Sequence, residues 1–405
     1  MPIKFKHNES LRQQIFFWTS FVLLCSIPLR YAYSSVAVGL FVGLNIIFGI
    51  PAISRKKEAI NYLLISLFLL IGISFFWSEN PDFTLKSLTR FLPLGLLPLS
   101  LFFSPVLSQD KFYDLWRYFG VFLAVLFWCF LFVAFLKYQI FQENSFFFYH
   151  NLVEPFRLNA IYVSFLVTIC LLILLVDLQP EKYLNLFIIT SLILFLLLLN
   201  SKLLISFFVL AVIFQFIMRR KKWYISLGTI FLMVIAIFLI QPLQKRIFSE
   251  FKTNYSEVFH SEKFGVVYPW TGTSIRLLQA RVGTEILTEK KAWLQGVGVG
   301  ASQDLIEQNH QKKELYPDYW NYNFHNQYIQ LLVELGIIGI SLYLIILLQL
   351  IKDFRQNFMV ISVILVIFGL GFTESFLWRQ RGLLTFMIFI ISVYHFKLRI
   401  TTNAK

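Results

Sequence analysis

The chain reads as an all-α, polytopic membrane protein of about twelve transmembrane helices with one long external, periplasmic loop of short helices. Three observations lead there. Of 405 residues, 58% are hydrophobic and 14% charged, and the mean hydropathy is +0.69, an apolar share beyond that of soluble domains. Apolar runs approaching the ~20 residues that a span requires recur along the sequence. The basic residues between them fall in short clusters, as the loops of a multi-pass protein do.

In chain order the apolar runs cover 15 to 29, 34 to 50, 61 to 77, 84 to 103, 114 to 136, 158 to 178, 183 to 199, 202 to 218, 223 to 241, 328 to 350, 357 to 373 and 382 to 397. The formal net charge of +14 would suggest nucleic acid in a soluble protein, and its distribution here argues for a membrane instead. Clusters lie at Lys4, Lys6 and Arg12, at Arg55, Lys56 and Lys57, at Arg219 to Lys222, at Lys352 and Arg355, and at Lys397 and Arg399. With twelve spans all of them fall on one side, which the positive-inside rule makes cytoplasmic, together with both termini. The expected partner is the lipid bilayer, of an inner membrane, with no nucleic acid.

Cys25, Cys129 and Cys170 sit within apolar runs without ligand spacing and read as small core residues. The basic N-terminus leads straight into a full span with no small-residue cleavage site, so it reads as a retained helix.

The organisation is 1–241 for nine N-terminal helices, 242–327 for the long loop and 328–405 for three C-terminal helices. Two connections are long: 137 to 157, and 242 to 327, the latter about 85 residues, a length that is functional or disordered when it occurs. Trp270, Trp293 and Trp320, and helical patterning through 274 to 289 and 300 to 313, argue for an ordered cap. No repeat of 20 to 50 residues is evident.

Polar residues within the spans are few. Lys86 and Arg90 lie one turn apart in TLKSLTRFLPLGLLPLS, and Lys202 follows Asn200 and Ser201, which form a tight external turn in LLLLNSKLLISFF. Cations at such depth face the protein interior or a wet cavity unless they snorkel to the interface.

The stretch NFHNQYIQLLVELGIIG, Asn323 to Gly339, starts polar and ends apolar. A helix capped near Asn323 stacks Asn326, Gln330 and Glu334 at i, i+4 and i+8, on a face turned into the bundle, with Tyr328 beside it. Gly336 and Gly339 would let a neighbouring helix approach. His325 would then occupy the first turn, where the helix dipole disfavours protonation, as general-base work needs. Within the long loop, TGTSIRLLQARVGTEI carries Arg276 and Arg281, followed by the glycine-rich GVGVGAS, Gly296 to Ser302. That run lacks the strand and lysine of a nucleotide loop and reads as a turn into the next helix. A base facing cations at the outer leaflet suits transfer from a lipid diphosphate, with Arg276 as a planar fork and Lys202 as a compact charge.

HNxYxQxxxExGxxG after a long external loop, the preceding SxR and G-x-G elements, and N-S-K between two spans together resemble the bacterial O-antigen ligase and O-antigen polymerase superfamily, the ligase most. The motifs lie in a core of 195–340. The resemblance implies a metal-independent, inverting membrane glycosyltransferase without cofactor. The donor would be a glycan on undecaprenyl diphosphate, and the acceptor a hydroxyl of a second glycan, often the lipid A core. It implies that His325 is the base and that Arg276 holds the diphosphate. Lys202 stands where the family has arginine, keeping the charge without the fork. Arg281, Arg157, and Glu374 with Arg379 and Arg381 in TESFLWRQRG are further external-side candidates, while Asn326, Tyr328, Gln330 and Glu334 are the supporting stripe. The absence of any DxD or DxxD pair agrees with a metal-free site, in which cations stabilise the departing diphosphate. A polymerase on the same scaffold and a transporter of lipid-linked glycans are the alternatives. Transporters favour repeats and helices broken near the midplane, and a purely structural scaffold leaves the polar stripe without a purpose.

Overall fold

A computed structural model describes residues 10–49, 58–176, 182–219, 228, 255–265, 268–396 and 398. Among the described residues every regular element is a helix. The N-terminal helices are α1 (Leu11–Ser26), α2 (Tyr31–Gly49), α3 (Ala59–Ile73), α4 (Pro81–Leu101), α5 (Gln109–Phe141), the short α6 (Tyr149–Val153), α7 (Ala160–Leu174), α8 (Lys182–Leu198) and α9 (Lys202–Arg219). The long connection contributes α10 (Tyr255–His260), α11 (Gly272–Glu289) and α12 (Ser302–Lys312), and the chain continues through α13 (Gln327–Phe354), α14 (Phe358–Gly371) and α15 (Gln380–His395). Each expected apolar run has its helix except 223 to 241, which, apart from Gly228, lies outside the described residues. The basic clusters at Lys4 and Lys6, Arg55 to Lys57, Arg220 to Lys222, and Lys397 and Arg399 also lie outside them.

Among the described residues, four helices can cross a membrane by length and apolarity alone: α2, α3 with its 3-10 extension to Trp77, α5 and α13. A fifth is counted if residues Tyr149–Phe156 and α7, which meet at 91°, form one bent span. Helices α8, α9 and α14 are apolar but shorter. Local signals set the ends: Ser10 and Gln13 form a capping box on α1, and Asn80, followed by Pro81, caps α4.

Helix α15 is buried from Arg381 to His395, and nearly all of α7 is buried as well. Covered by other elements on every side, both helices lie inside the bundle. Around them α1 packs on α2 and α5, α3 on α4 and α13, α9 on α14, and α15 on α4. The three cysteines are free thiols. Cys170 is core, but Cys129 is exposed and lines an open apolar groove between α5 and α8.

The described part of the long connection, from Tyr255 onward, has its own apolar core, in which Val258, Leu278, Val282, Ile286, Ile306, Phe324 and Val333 are buried. Both helices expected in it are present. Arg281 ties this unit together: its guanidinium bonds Glu285 at 2.8 Å, Glu262 at 2.9 Å and the carbonyls of Ser261 and Val258.

The glycine-rich run does more than turn the chain. Gly336 has φ 64° and ψ −164°, a conformation open essentially to glycine alone, and it breaks α13. Backbone of residues 293–298 enters the break. Val297 N–H donates to Val333 O (2.8 Å), Gly298 N–H to Glu334 O (3.0 Å) and Ile337 N–H to Trp293 O (2.9 Å). A Cβ on Gly336 would lie 2.2 Å from Leu294 O, so the glycine admits a loop rather than the neighbouring helix expected from its sequence. On its other side the loop is held by Thr84, whose hydroxyl donates to Val299 O at 2.6 Å, and by Trp77, whose indole donates to Gln295 O at 3.1 Å.

Candidate active site

The α13 motif begins one turn later than its sequence suggests. Asn326, not Asn323, is the cap, accepting from the amides of Tyr328 and Ile329. Asn323 instead accepts from the His325 amide at 3.0 Å, and His325 takes a left-handed φ of 43°. The expectation of His325 in the first helical turn is therefore corrected: an Asx-type turn places it just before the helix. The α14–α15 connector holds it there, since Ser375 Oγ accepts from the Asn326 amide at 3.2 Å.

That connector supplies the residue around which the site is organised. Glu374 is 4% exposed. Its Oε1 lies 3.5 Å from His325 Nδ1 and 3.3 Å from Arg276 Nη2, and Tyr162 Oη approaches its Oε2 at 3.5 Å. The His325 contact is close and polar but not an aligned hydrogen bond, for Nδ1 has no partner of good geometry. Burial alone would raise the Glu374 pKa; the close polar contact with His325 and the charge and hydrogen bond of Arg276 outweigh it and hold the carboxyl below the ordinary glutamate range. Arg276 is fixed further by Thr373 O at 2.8 Å and Gly272 O at 2.6 Å.

Lys202, Arg276 and Glu374 line one cavity of about 250 Å³, together with Ser201, Thr271 and Trp270. Two helix amino termini open on it. Lys202 is the first residue of α9, after the left-handed Asn200, and Gly272 is the first of α11, capped by Thr271 and Ser274. The positive dipole ends of two helices and two cations meet here beside the Glu374 carboxylate, a concentration of positive charge of the kind that suits an anion. His325, 26% exposed, adjoins it through Glu374.

The remaining sequence candidates go elsewhere. Arg281 is committed to the cap, as described above, and does not line the cavity. Arg157 lies in the turn before α7, at φ 52°, and does not line it either. Tyr328 donates to Phe368 O at 2.7 Å and packs on Phe372. Glu334 accepts from Ser302 Oγ at 2.7 Å and Gly300 N at 3.0 Å, while Gln330 donates to Ser302 Oγ at 3.3 Å. The stripe expected to face the bundle in a supporting role thus latches the glycine loop, because loop amides entering a broken helix need buried acceptors. Tyr162 was not singled out from sequence; one tyrosine in an apolar run carries no signal. Glu374 was noted only as an external acid, since its partner Arg276 is 98 positions away.

No curated protein matches the chain. Residues 186–344 match a family described as O-antigen ligase, a segment that contains Lys202, Arg276, the glycine loop and the His325 motif. That segment is less than half of the chain, and its match supports the O-antigen ligase superfamily.

Proposed function

We propose that this protein is a membrane glycosyltransferase that moves a glycan from undecaprenyl diphosphate to an acceptor hydroxyl, inverting the anomeric centre without a metal. The observation that carries the reading is the cavity in which Lys202, Arg276 and two helix amino termini meet, with His325 joined to it through Glu374. The family indicates O-antigen ligase or polymerase chemistry; the side chains suggest how it would run.

The donor diphosphate lies against Lys202 and Arg276, where fixed positive charge stabilises the leaving group. The acceptor oxygen attacks the anomeric carbon, the bond from that carbon to the diphosphate oxygen breaks, and undecaprenyl diphosphate departs. His325 takes the hydroxyl proton. Its Nδ1 is turned to Glu374, which leaves Nε2 for the substrate and gives the resulting imidazolium a carboxylate neighbour, as in other base–carboxylate pairs. The acceptor is a second glycan, with the lipid A core as the ligase case and a growing chain as the polymerase case. The site would face the periplasm.

Purified protein incubated with lipid-linked glycan and acceptor tests this. Transfer with release of undecaprenyl diphosphate, undiminished by EDTA and abolished by His325→Ala, is expected. Donor that crosses the bilayer unconsumed would instead identify a transporter.

A further inference from the structure

The α14–α15 connector that gives Glu374 to the first cavity gives Trp378, Arg379 and Gln380 to a second. This one, about 540 Å³, lies between α2 and α4 and is lined also by Tyr31, Ser35 and Arg90. Arg90 stacks on Trp378 at 4.7 Å and makes one long bond to its carbonyl, 3.4 Å. Among the described residues neither Arg90 nor Arg379 has a carboxylate within ion-pair distance. Two cations thus share a cavity that no carboxylate lines, the Glu334 charge acting on Arg90 only from beyond ion-pair distance, and an anion is favoured there.

The walls grade from polar to apolar in the same direction on both helices. Along α2, Tyr31 and Ser35 precede Val38 and Gly39; along α4, Thr89 and Arg90 precede Leu92, Pro93 and Leu96. Leu92 and Leu96 are exposed, and a Cβ placed on Gly39 would meet nothing within 4 Å. The polar end lies at the α1–α2 connection, where Arg381 donates to Leu29 O and stacks on Tyr31 at 4.3 Å. A charged end continuing into an open apolar groove has the form of a phosphorylated lipid: head group on the arginines, chains along the leucines. A free phosphate would need only the first half.

We propose that this cavity is a second anion site, separate from Lys202 and Arg276, that binds the phosphate head group of a membrane lipid. The inference does not depend on the reaction assigned to the first cavity.

The full-length protein in detergent can be titrated with dioleoyl phosphatidylglycerol, dioleoylglycerol or inorganic phosphate, with bound ligand counted by native mass spectrometry. Expected are saturable phosphatidylglycerol binding, no matching binding of dioleoylglycerol, and a loss of about tenfold in affinity on Arg379→Gln, one charge-assisted contact. Arg90→Gln should lose at least as much. Arg379 is exposed, so its variant reports on the site even where loss of the Trp378 stack disturbs folding. Undiminished phosphatidylglycerol binding by Arg379→Gln, or equal binding of dioleoylglycerol, overturns the site. Inorganic phosphate binding as tightly as the lipid overturns the lipid assignment.

Discussion

Glu374 stands 3.5 Å from the imidazole of His325, buried between it and Arg276. One carboxylate therefore touches both the proposed base and the proposed diphosphate ligand. Glu374→Gln should lower kcat for glycan transfer about 10- to 100-fold, and His325→Ala about 100- to 10,000-fold, the range of general-base effects. The double variant should be little worse than His325→Ala, because the two act as a unit. Additive losses in steady-state transfer would separate Glu374 from the base.

The cations should divide by place. Arg276→Gln and Lys202→Gln remove charge from the cavity and should each reduce kcat/KM for the lipid-linked donor by about tenfold or more. Lys202→Arg should retain most activity, since charge and side are kept. Arg281→Met should instead lower the melting temperature of the cap with little change in donor KM, because its bonds are to Glu262, Glu285 and loop carbonyls. A donor KM moved by Arg281→Met but not by Arg276→Gln would reverse the assignment.

The cap should weaken in mild acid. His310 is buried, and burial pushes its pKa from 6.5 down to about 4. Its Nδ1 donates to Tyr319 O at 3.0 Å, while Nε2 has no partner to receive a second proton. Unfolded chain takes up that proton below pH 6.5 and folded chain does not, so stability is lost as pH falls from 6.5 towards 4, by up to about 3 kcal/mol. His310→Gln should flatten this slope in hydrogen exchange of α12. Glu374 is shifted in the same direction and carries the same sign, though charged and polar neighbours rather than burial lower it: its contribution is present above the ordinary glutamate pKa and disappears as pH falls through its lowered folded value.

Gly336 and Glu334 should matter for stability before chemistry. Gly336→Ala places a Cβ against Leu294 O in a backbone region closed to alanine, and should cost about 3 kcal/mol or more. Glu334→Leu leaves the Gly300 amide and the Ser302 hydroxyl without their buried acceptor, about 1–3 kcal/mol. Thermal unfolding in detergent measures both. Wild-type stability in Gly336→Ala would mean that the loop does not occupy the break.

The positions of the helices were legible because hydropathy is a local property: eleven of the twelve apolar runs lie where described helices are found. The candidates Lys202, Arg276 and His325 were legible as well, since a cation or an imidazole beside membrane-grade sequence is conspicuous. Their neighbours were not. Asn323 and Asn326 are equal as caps on paper, and only the docking of Ser375 on the Asn326 amide places His325 outside the helix. Glu334 is one member of an inward-facing supporting stripe until Gly300 and Ser302 are seen on its carboxylate. Glu374 is an external acid until the packing of α11 beside the α14–α15 connector sets Arg276 against it. Sequence alone determined an all-helical membrane protein and the residue types available for chemistry, because burial and charge are carried residue by residue. The tertiary structure decided which of them meet, because pairing buried polar groups depends on segments that no local pattern relates.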